Sequence, residues 1–366
     1  MPESTEVSNP APGDSRPPAW DAHWERAWNE SGAGADGLVP VRVVRIDKGG
    51  ITVATEPGDE QLVVAAKAVR RVVVGDVCAL DEEAGRVEKI LARQTVFERR
   101  APGAARDDVA VNAKALAANM RVVLVLQALD SGVNTARLAR EMVLAWESGA
   151  EPVVVLTKAD LVDETAAASE RAEAQRFAPG APVTVVSVSS QDGTTELDSY
   201  LPRGTVAVLL GASGAGKSTL ANALAAQGVQ LTAEVREGDL RGRHTTTAGQ
   251  MLELTRNRWL IDTPGIRGVG LWHSDEGLER AFADLAPFAQ QCRFNDCTHT
   301  SEPGCGILAA VADGQVAQDR LDTWHLLVEE VERLEAEAEE QEREVKREDN
   351  QRSRRRAAAH RGRPRR

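Results

Sequence analysis

The chain has 366 residues, 42% of them apolar and only 4% aromatic, which suits two or three packed domains with cores drawn from Val, Leu and Ala. No apolar run approaches the length of a membrane span, and the polar, Pro-rich start from Met1 to Pro18 lacks the apolar core of a signal peptide, so a cytoplasmic protein without a membrane partner is expected. The net charge of −12 divides into eight Arg and no acid within residues 351–366 and −20 on the other 350; an acidic body with a basic tail excludes indiscriminate coating of nucleic acid but not local contact with RNA or an acidic protein.

Residues 1–18 have the composition of a disordered segment. Trp20, Trp24 and Trp28 recur every four residues, which places three indoles on one face of a helix that docks on the next domain. Residues 37–93 read as five short strands, Leu38 to Ile46, Ile51 to Thr55, Gln61 to Ala65, Val77 to Leu80 and Arg86 to Leu91, separated by Gly-containing turns. That density predicts a small barrel of the OB type, and its eight basic side chains between Arg42 and Lys89 suit RNA contact. Cys78 reads as a small core residue.

Residues 94–118 read as a polar linker. Strands are then predicted at Arg121 to Gln127, Pro152 to Leu156, Val183 to Val186 and Thr205 to Leu210, with helices at Thr135 to Ser148 and Glu164 to Phe177. The alternation predicts a mostly parallel sheet with helices on both faces. From Asp322 a helix follows whose apolar positions end at Leu334; beyond them it is an exposed, charged helix, and Arg352 to Arg366 is expected to stay disordered until it meets an anion.

Gly211-Ala212-Ser213-Gly214-Ala215-Gly216-Lys217-Ser218-Thr219 lies between the strand ending at Leu210 and a helix start at Leu220, and fits the phosphate-loop pattern. Its backbone N–H groups would cradle phosphates, Lys217 would reach the outer ones and Ser218 would hold Mg2+. The loop alone does not separate GTP from ATP. Asp262, 43 residues after Thr219 and ending the run Trp259 to Ile261, suits a second Mg2+ anchor, with the Gly265 N–H at the terminal phosphate. Between them, Gly242 to Thr247 is a polar loop in which the hydroxyl of Thr245, Thr246 or Thr247 would close on Mg2+ and the terminal phosphate.

Thr157-Lys158-Ala159-Asp160 ends another apolar run. The two carboxylate oxygens of Asp160 suit the N1–H and N2–H2 donors of guanine, which adenine lacks; the Lys158 stem would pack along the base, and Ser187-Val188 would offer a backbone contact to O6. Asp160 precedes Gly211 by 51 residues, the reverse of the usual order. Cys292, Cys297, His299 and Cys305 supply three thiolates and an imidazole, a full tetrahedral set for one structural Zn2+ with no place for a catalytic water.

These segments together resemble the ribosome small-subunit-dependent GTPase A family, one of the circularly permuted GTPases of ribosome biogenesis. The resemblance covers roughly residues 37–330 and rests on Gly211 to Thr219, Gly-Arg-His-Thr-Thr-Thr at 242–247, Asp262 to Gly265 and Cys-Arg-Phe-Asn-Asp-Cys-Thr-His at 292–299. It implies a multidomain chain: a Trp-bearing N-terminal segment at 1–36, an OB-fold at 37–98, a circularly permuted P-loop GTPase domain at 99–268, a helical zinc domain at 269–330, and a charged helix with an Arg-rich tail at 331–366. It implies GTP hydrolysis stimulated by the small ribosomal subunit during its late maturation, rRNA contact through the OB and zinc domains, and a monomer. Ile266 stands where many GTPases carry a water-orienting Gln, so the free protein is expected to turn over slowly. The resemblance assigns the substitute role to His244. Thr157 stands where the family usually has Asn; its hydroxyl can still brace the loop, at a cost expected in guanine affinity or selectivity.

Three readings compete. A P-loop ATPase or small-molecule kinase is opposed by Asp160 and by the order of the motifs. An RNA-binding factor with a vestigial nucleotide site is opposed by the intact Lys217, Ser218 and Asp262. A hydrolase centred on the cysteines is weakest, because its metal shell is full.

Overall fold

The computed structural model describes residues 16–361 except 48–49, 68, 70, 101–112, 191–193, 227–248, 255–256, 263–270 and 272–274. Helix α1 (Ala22–Ser31) starts where the Asp21 carboxylate accepts the N–H groups of His23 and Trp24, and ends at Gly32 in the left-handed region. Its buried Trp24 and Trp28 pack against Val77, Ala79 and Leu91, so this face docks on the barrel as expected, whereas Trp20 precedes the helix, which Asp21 caps, and packs beside them. Arg42 is buried beneath this junction and donates to the carbonyls of Pro18, Ala19 and Asn119.

The barrel is built from β1 (Val39–Asp47), β2 (Gly50–Glu56), β3 (Asp59–Ala65), β4 (Val77–Asp81) and β5 (Arg86–Ile90). The order β1-β2-β3-β5-β4 closes by pairing β1 with β4, with only β3 and β5 parallel. Val41, Val43, Val53, Val63, Leu80 and Val87 fill it with Cys78, the core role expected for that cysteine.

The stretch expected to be a linker instead contains β6 (Val96–Arg100) and β7 (Ala113–Ala118), an antiparallel pair. The Ala-rich β7 shows no alternation of large apolar and polar residues; its small side chains suit close packing, and Ala117 and Ala118 are fully buried.

Five parallel strands follow in the order β10-β9-β8-β11-β13: β8 (Val122–Ala128), β9 (Glu151–Thr157), β10 (Val183–Val185), β11 (Val206–Gly211) and β13 (Arg258–Asp262). Helices α2 (Thr135–Glu147) and α3 (Glu164–Phe177) cover one face, joining the core of Val123, Val125, Val154 and Leu156. Helices α4 (Thr194–Tyr200) and α5 (Lys217–Ala226) cover the other, on Val122, Leu124, Leu126, Val153 and Val155. The near-continuous apolar strands are thus those of a sheet buried on both faces. Strand β12 (Gly249–Leu254) lies antiparallel to β13 and pairs with β1 through Arg45 opposite Gln250 and Ile46 opposite Gly249. Among the described residues, barrel and parallel sheet therefore form one eleven-stranded sheet.

The Cys-rich region holds α6 (Asp275–Ala281), α7 (Ala286–Ala289) and α8 (Gly306–Ala312). Helix α9 (Gln318–Arg361) begins four residues before the expected start and continues through Arg352 to Arg361, so that part of the Arg-rich end is helical rather than disordered. Its first turns meet the sheet domain through Arg176–Asp319 and Arg140–Glu330 ion pairs. Buried Arg320 binds Asp284 and lies over the ring of Phe282.

Candidate functional site

The strand order reverses between β8 and β11, which opens a crevice at the C-terminal ends of the parallel strands, the usual ligand position of such sheets. The phosphate loop leaves β11 there. Gly211 has φ 144°, and a Cβ on it would lie 2.7 Å from the Leu126 carbonyl; Gly216 has φ 82° and passes over the Thr157 side chain. Only glycine suits both positions. Lys217 starts α5 with its side chain buried, and its Nζ donates to the carbonyls of Gly211, at 2.7 Å, and Ala212. Ser218 and Thr219 are exposed on the first turn. Asp262 ends β13 beside β11, also exposed, so Lys217, Ser218 and Asp262 share one edge of the sheet.

Thr157 ends β9, buried, and its hydroxyl lies 2.9 Å from the Ala215 carbonyl of the phosphate loop and 3.3 Å from the Gln127 carbonyl. A hydroxyl has one proton, and the shorter contact is the better bond. The segment 157–160 is thereby tied to the phosphate loop. Lys158 follows in the left-handed region, at φ 61°, and its Nζ pairs with Asp130 at 2.7 Å. Ala159 donates its N–H to Val186 at 3.4 Å.

Asp160 is exposed and accepts the Ser187 hydroxyl at 2.8 Å; the Ser189 hydroxyl stands 3.0 Å from that of Ser187. Hydrogen bonds from Ser187 and then Ser189 hold the Asp160 carboxyl below the usual carboxylate range, so it stands ionised and oriented at neutral pH. The sequence reading gave Ser187-Val188 a backbone role only; the serine hydroxyls that orient Asp160 carry no fixed spacing from it and were missed.

Beneath the loop, Gln127 Nε2 donates to buried Glu141 at 2.7 Å. Burial pushes the Glu141 carboxyl up to about 7, against the pull of Arg137, Gln127 and Lys217. No motif marks this pair. Of the residues expected at the site, His244, Thr245, Thr246, Thr247 and Gly265 lie outside the described residues.

The four expected metal ligands also converge. Their ligand atoms all lie within 4.8 Å of one another. Cys292 Sγ lies 3.6 Å from His299 Nδ1 and 3.9 Å from Cys305 Sγ, and His299 Nδ1 lies 3.4 Å from Cys305 Sγ. Four ligands at zinc bond lengths stand about 3.3–3.8 Å apart, so the cluster fits a tetrahedral metal. The N–H groups of Gly306 and Leu308 point at Cys292 and Cys305 sulfurs, as suits thiolates. The Glu302 carboxylate fixes the intervening loop by accepting the N–H groups of Thr298, Thr300 and Ser301.

Comparison with known proteins agrees with this geometry. The sequence profile described as RsgA GTPase matches residues 90–272, and one described as 50S ribosome-binding GTPase matches residues 206–348. The small ribosomal subunit biogenesis GTPase RsgA of Streptomyces coelicolor is 41% identical over 320 residues, 85% of this chain and 86% of that protein. The chain belongs to the RsgA GTPase family. RsgA of Methanosarcina acetivorans is 41% identical over 263 residues, 71% of this chain and 69% of that one. The crystal structure of YjeQ from Thermotoga maritima superposes with a TM-score of 0.61 at 26% identity, covering 80% of this chain and 99% of that one. YloQ, described as a circularly permuted GTPase, shares the fold at a TM-score of 0.56 and 23% identity. As an RsgA-family member the chain is a GTP hydrolase, and its segment 157–160 precedes residues 211–219 in sequence and meets them in space. No helix among the described residues is long and apolar enough to cross a membrane.

Proposed function

We propose that this GTPase acts in late maturation of the small ribosomal subunit, hydrolysing GTP to GDP and phosphate at a rate raised by the subunit. The observation that carries the site assignment is the hydrogen bond from Thr157 to Ala215, which fastens the Asp160 loop to the phosphate loop across the crevice. In this reading Asp160 pairs with the guanine edge and Lys158 and Ala159 flank the base. Val188 and the Ser187 backbone contact its rim, while residues 211–219 and Gly265 hold the phosphates. Ser218, Asp262 and Thr246 would hold the Mg2+ that accompanies GTP, which would neutralise charge on the phosphates. Lys217 swings from the Gly211 carbonyl to the outer phosphates, where its charge offsets what builds up in transfer.

His244 positions the attacking water once the subunit is bound, in the role of the Gln that many GTPases carry where this chain has Ile266. His244→Ala is expected to keep GTP affinity and lose subunit-stimulated turnover; stimulated turnover equal to wild type would refute the assignment.

Two relatives with high coverage are named for the small subunit, whereas the 50S-type profile omits the Asp160 loop; we therefore take the small subunit and its rRNA as the partner. The OB barrel and a zinc-bound Cys292, Cys297, His299 and Cys305 cluster supply the rRNA-facing parts of a monomeric, cytoplasmic protein. The domain limits proposed from sequence serve this reading, with the last helix starting inside the zinc region at Gln318.

A further inference from the structure

Asp130 belongs to no motif, yet its carboxylate meets the Lys158 ammonium at 2.7 Å. The turn that carries it, Leu129–Ser131, sits against the turn Ala159–Leu161 that follows Lys158. Both are anchored. On one side, Val133 donates its N–H to Glu170 of α3 at 2.7 Å, and Asn134 caps α2. On the other, Ala159 is tied to Val186, the residue after β10. An ammonium on a flexible four-carbon stem is costly to order, and a partner that fixes it beforehand lowers that cost when a ligand arrives.

We infer that Asp130 is a positioning residue of the nucleotide site: it holds the Lys158 side chain extended where the purine packs, without itself reading the base. The inference rests on the reading of residues 157–160 as the guanine loop. Stacking along the Lys158 stem is common to all purines, whereas pairing with Asp160 is particular to guanine. Asp130 therefore governs affinity and leaves selectivity to Asp160.

The test is titration of the full chain with fluorescent N-methylanthraniloyl-GDP and its ADP counterpart. Asp130→Asn is expected to weaken both nucleotides by roughly threefold, the scale of a half-exposed ion pair, leaving their ratio unchanged, and Asp130→Glu to restore most of the loss. Lys158→Met keeps the stem and removes the charge; in that background Asp130→Asn is expected to cost nothing further. Wild-type affinity in Asp130→Asn, or a full threefold loss persisting beside Lys158→Met, would overturn the inference. Asp160→Asn separates the two readings. It should exchange GDP for xanthosine diphosphate, whose O2 accepts the new amide, and unchanged GDP preference in that variant would instead defeat the guanine-loop reading on which the inference stands.

Discussion

The Thr157 hydroxyl joins two loops, to which we assign the base and the phosphates, and does so from a buried position. Thr157→Val keeps the shape and removes the proton, leaving the Ala215 carbonyl without that donor. The expected loss is about 1 kcal/mol, near fivefold in GDP affinity, readable by nucleotide titration. Glu141 gives a pH signature. Its carboxyl is raised in the folded protein to about 7, so the folded state holds its proton more tightly than the unfolded chain. The stability this contributes is full below the ordinary carboxylate range and is lost as pH rises through about 7. Glu141→Gln should therefore flatten the fall in melting temperature between pH 5 and 8, while a parallel fall in both proteins would contradict the assignment. Residues tied by fixed spacing, such as Gly211, Lys217, Asp160 and the four metal ligands, were legible in the sequence because their chemistry demands that spacing. Asp130, Glu141 and the Ser187 and Ser189 hydroxyls were not, because they act across the fold from positions that no local pattern marks.

Between elements, the tightest contact of the sheet domain with the Cys-rich region is the crossing of α2 and α6. Gly277 permits it: a Cβ there would lie 2.6 Å from the Val143 carbonyl and 2.9 Å from a Glu147 carboxylate oxygen, which already accepts the Gly277 N–H at 2.8 Å. In an open helix Gly→Ala would gain roughly 1 kcal/mol. Here the backbone carbonyl must move, and overpacking of this kind costs about 1–3 kcal/mol. Gly277→Ala should thus lower stability in a thermal or denaturant melt, and a gain would show that the helices separate at no cost. Strongly patterned elements were legible with ends within a few residues, α3 from Glu164 to Phe177 among them. The β6–β7 pair and β12 were not: β7 is a run of small residues, and β12 is a short strand whose partners, β13 and β1, lie on either side of it.

At the scale of the molecule, β12 links the barrel to the parallel sheet, and α9 bridges the sheet domain and the metal cluster through Arg176–Asp319, Arg140–Glu330 and the Trp324 ring 5.3 Å from His299. Loss of the zinc we propose there should loosen the start of α9 before it disturbs the nucleotide site, whose residues lie on other elements. Cys297→Ser with chelation is expected to remove one zinc per chain by elemental analysis, spare GTP turnover of the free protein and reduce the response to ribosomal subunits. Turnover of the free protein lost in proportion to zinc would contradict a purely structural metal. The most direct test of the whole account is hydrolysis of GTP and of ATP by the purified protein, with and without small ribosomal subunits. Slow GTP turnover that rises sharply with small subunits, and little ATP turnover in either case, is the predicted result. A GTP rate indifferent to subunits, or equal rates for the two nucleotides, would contradict it.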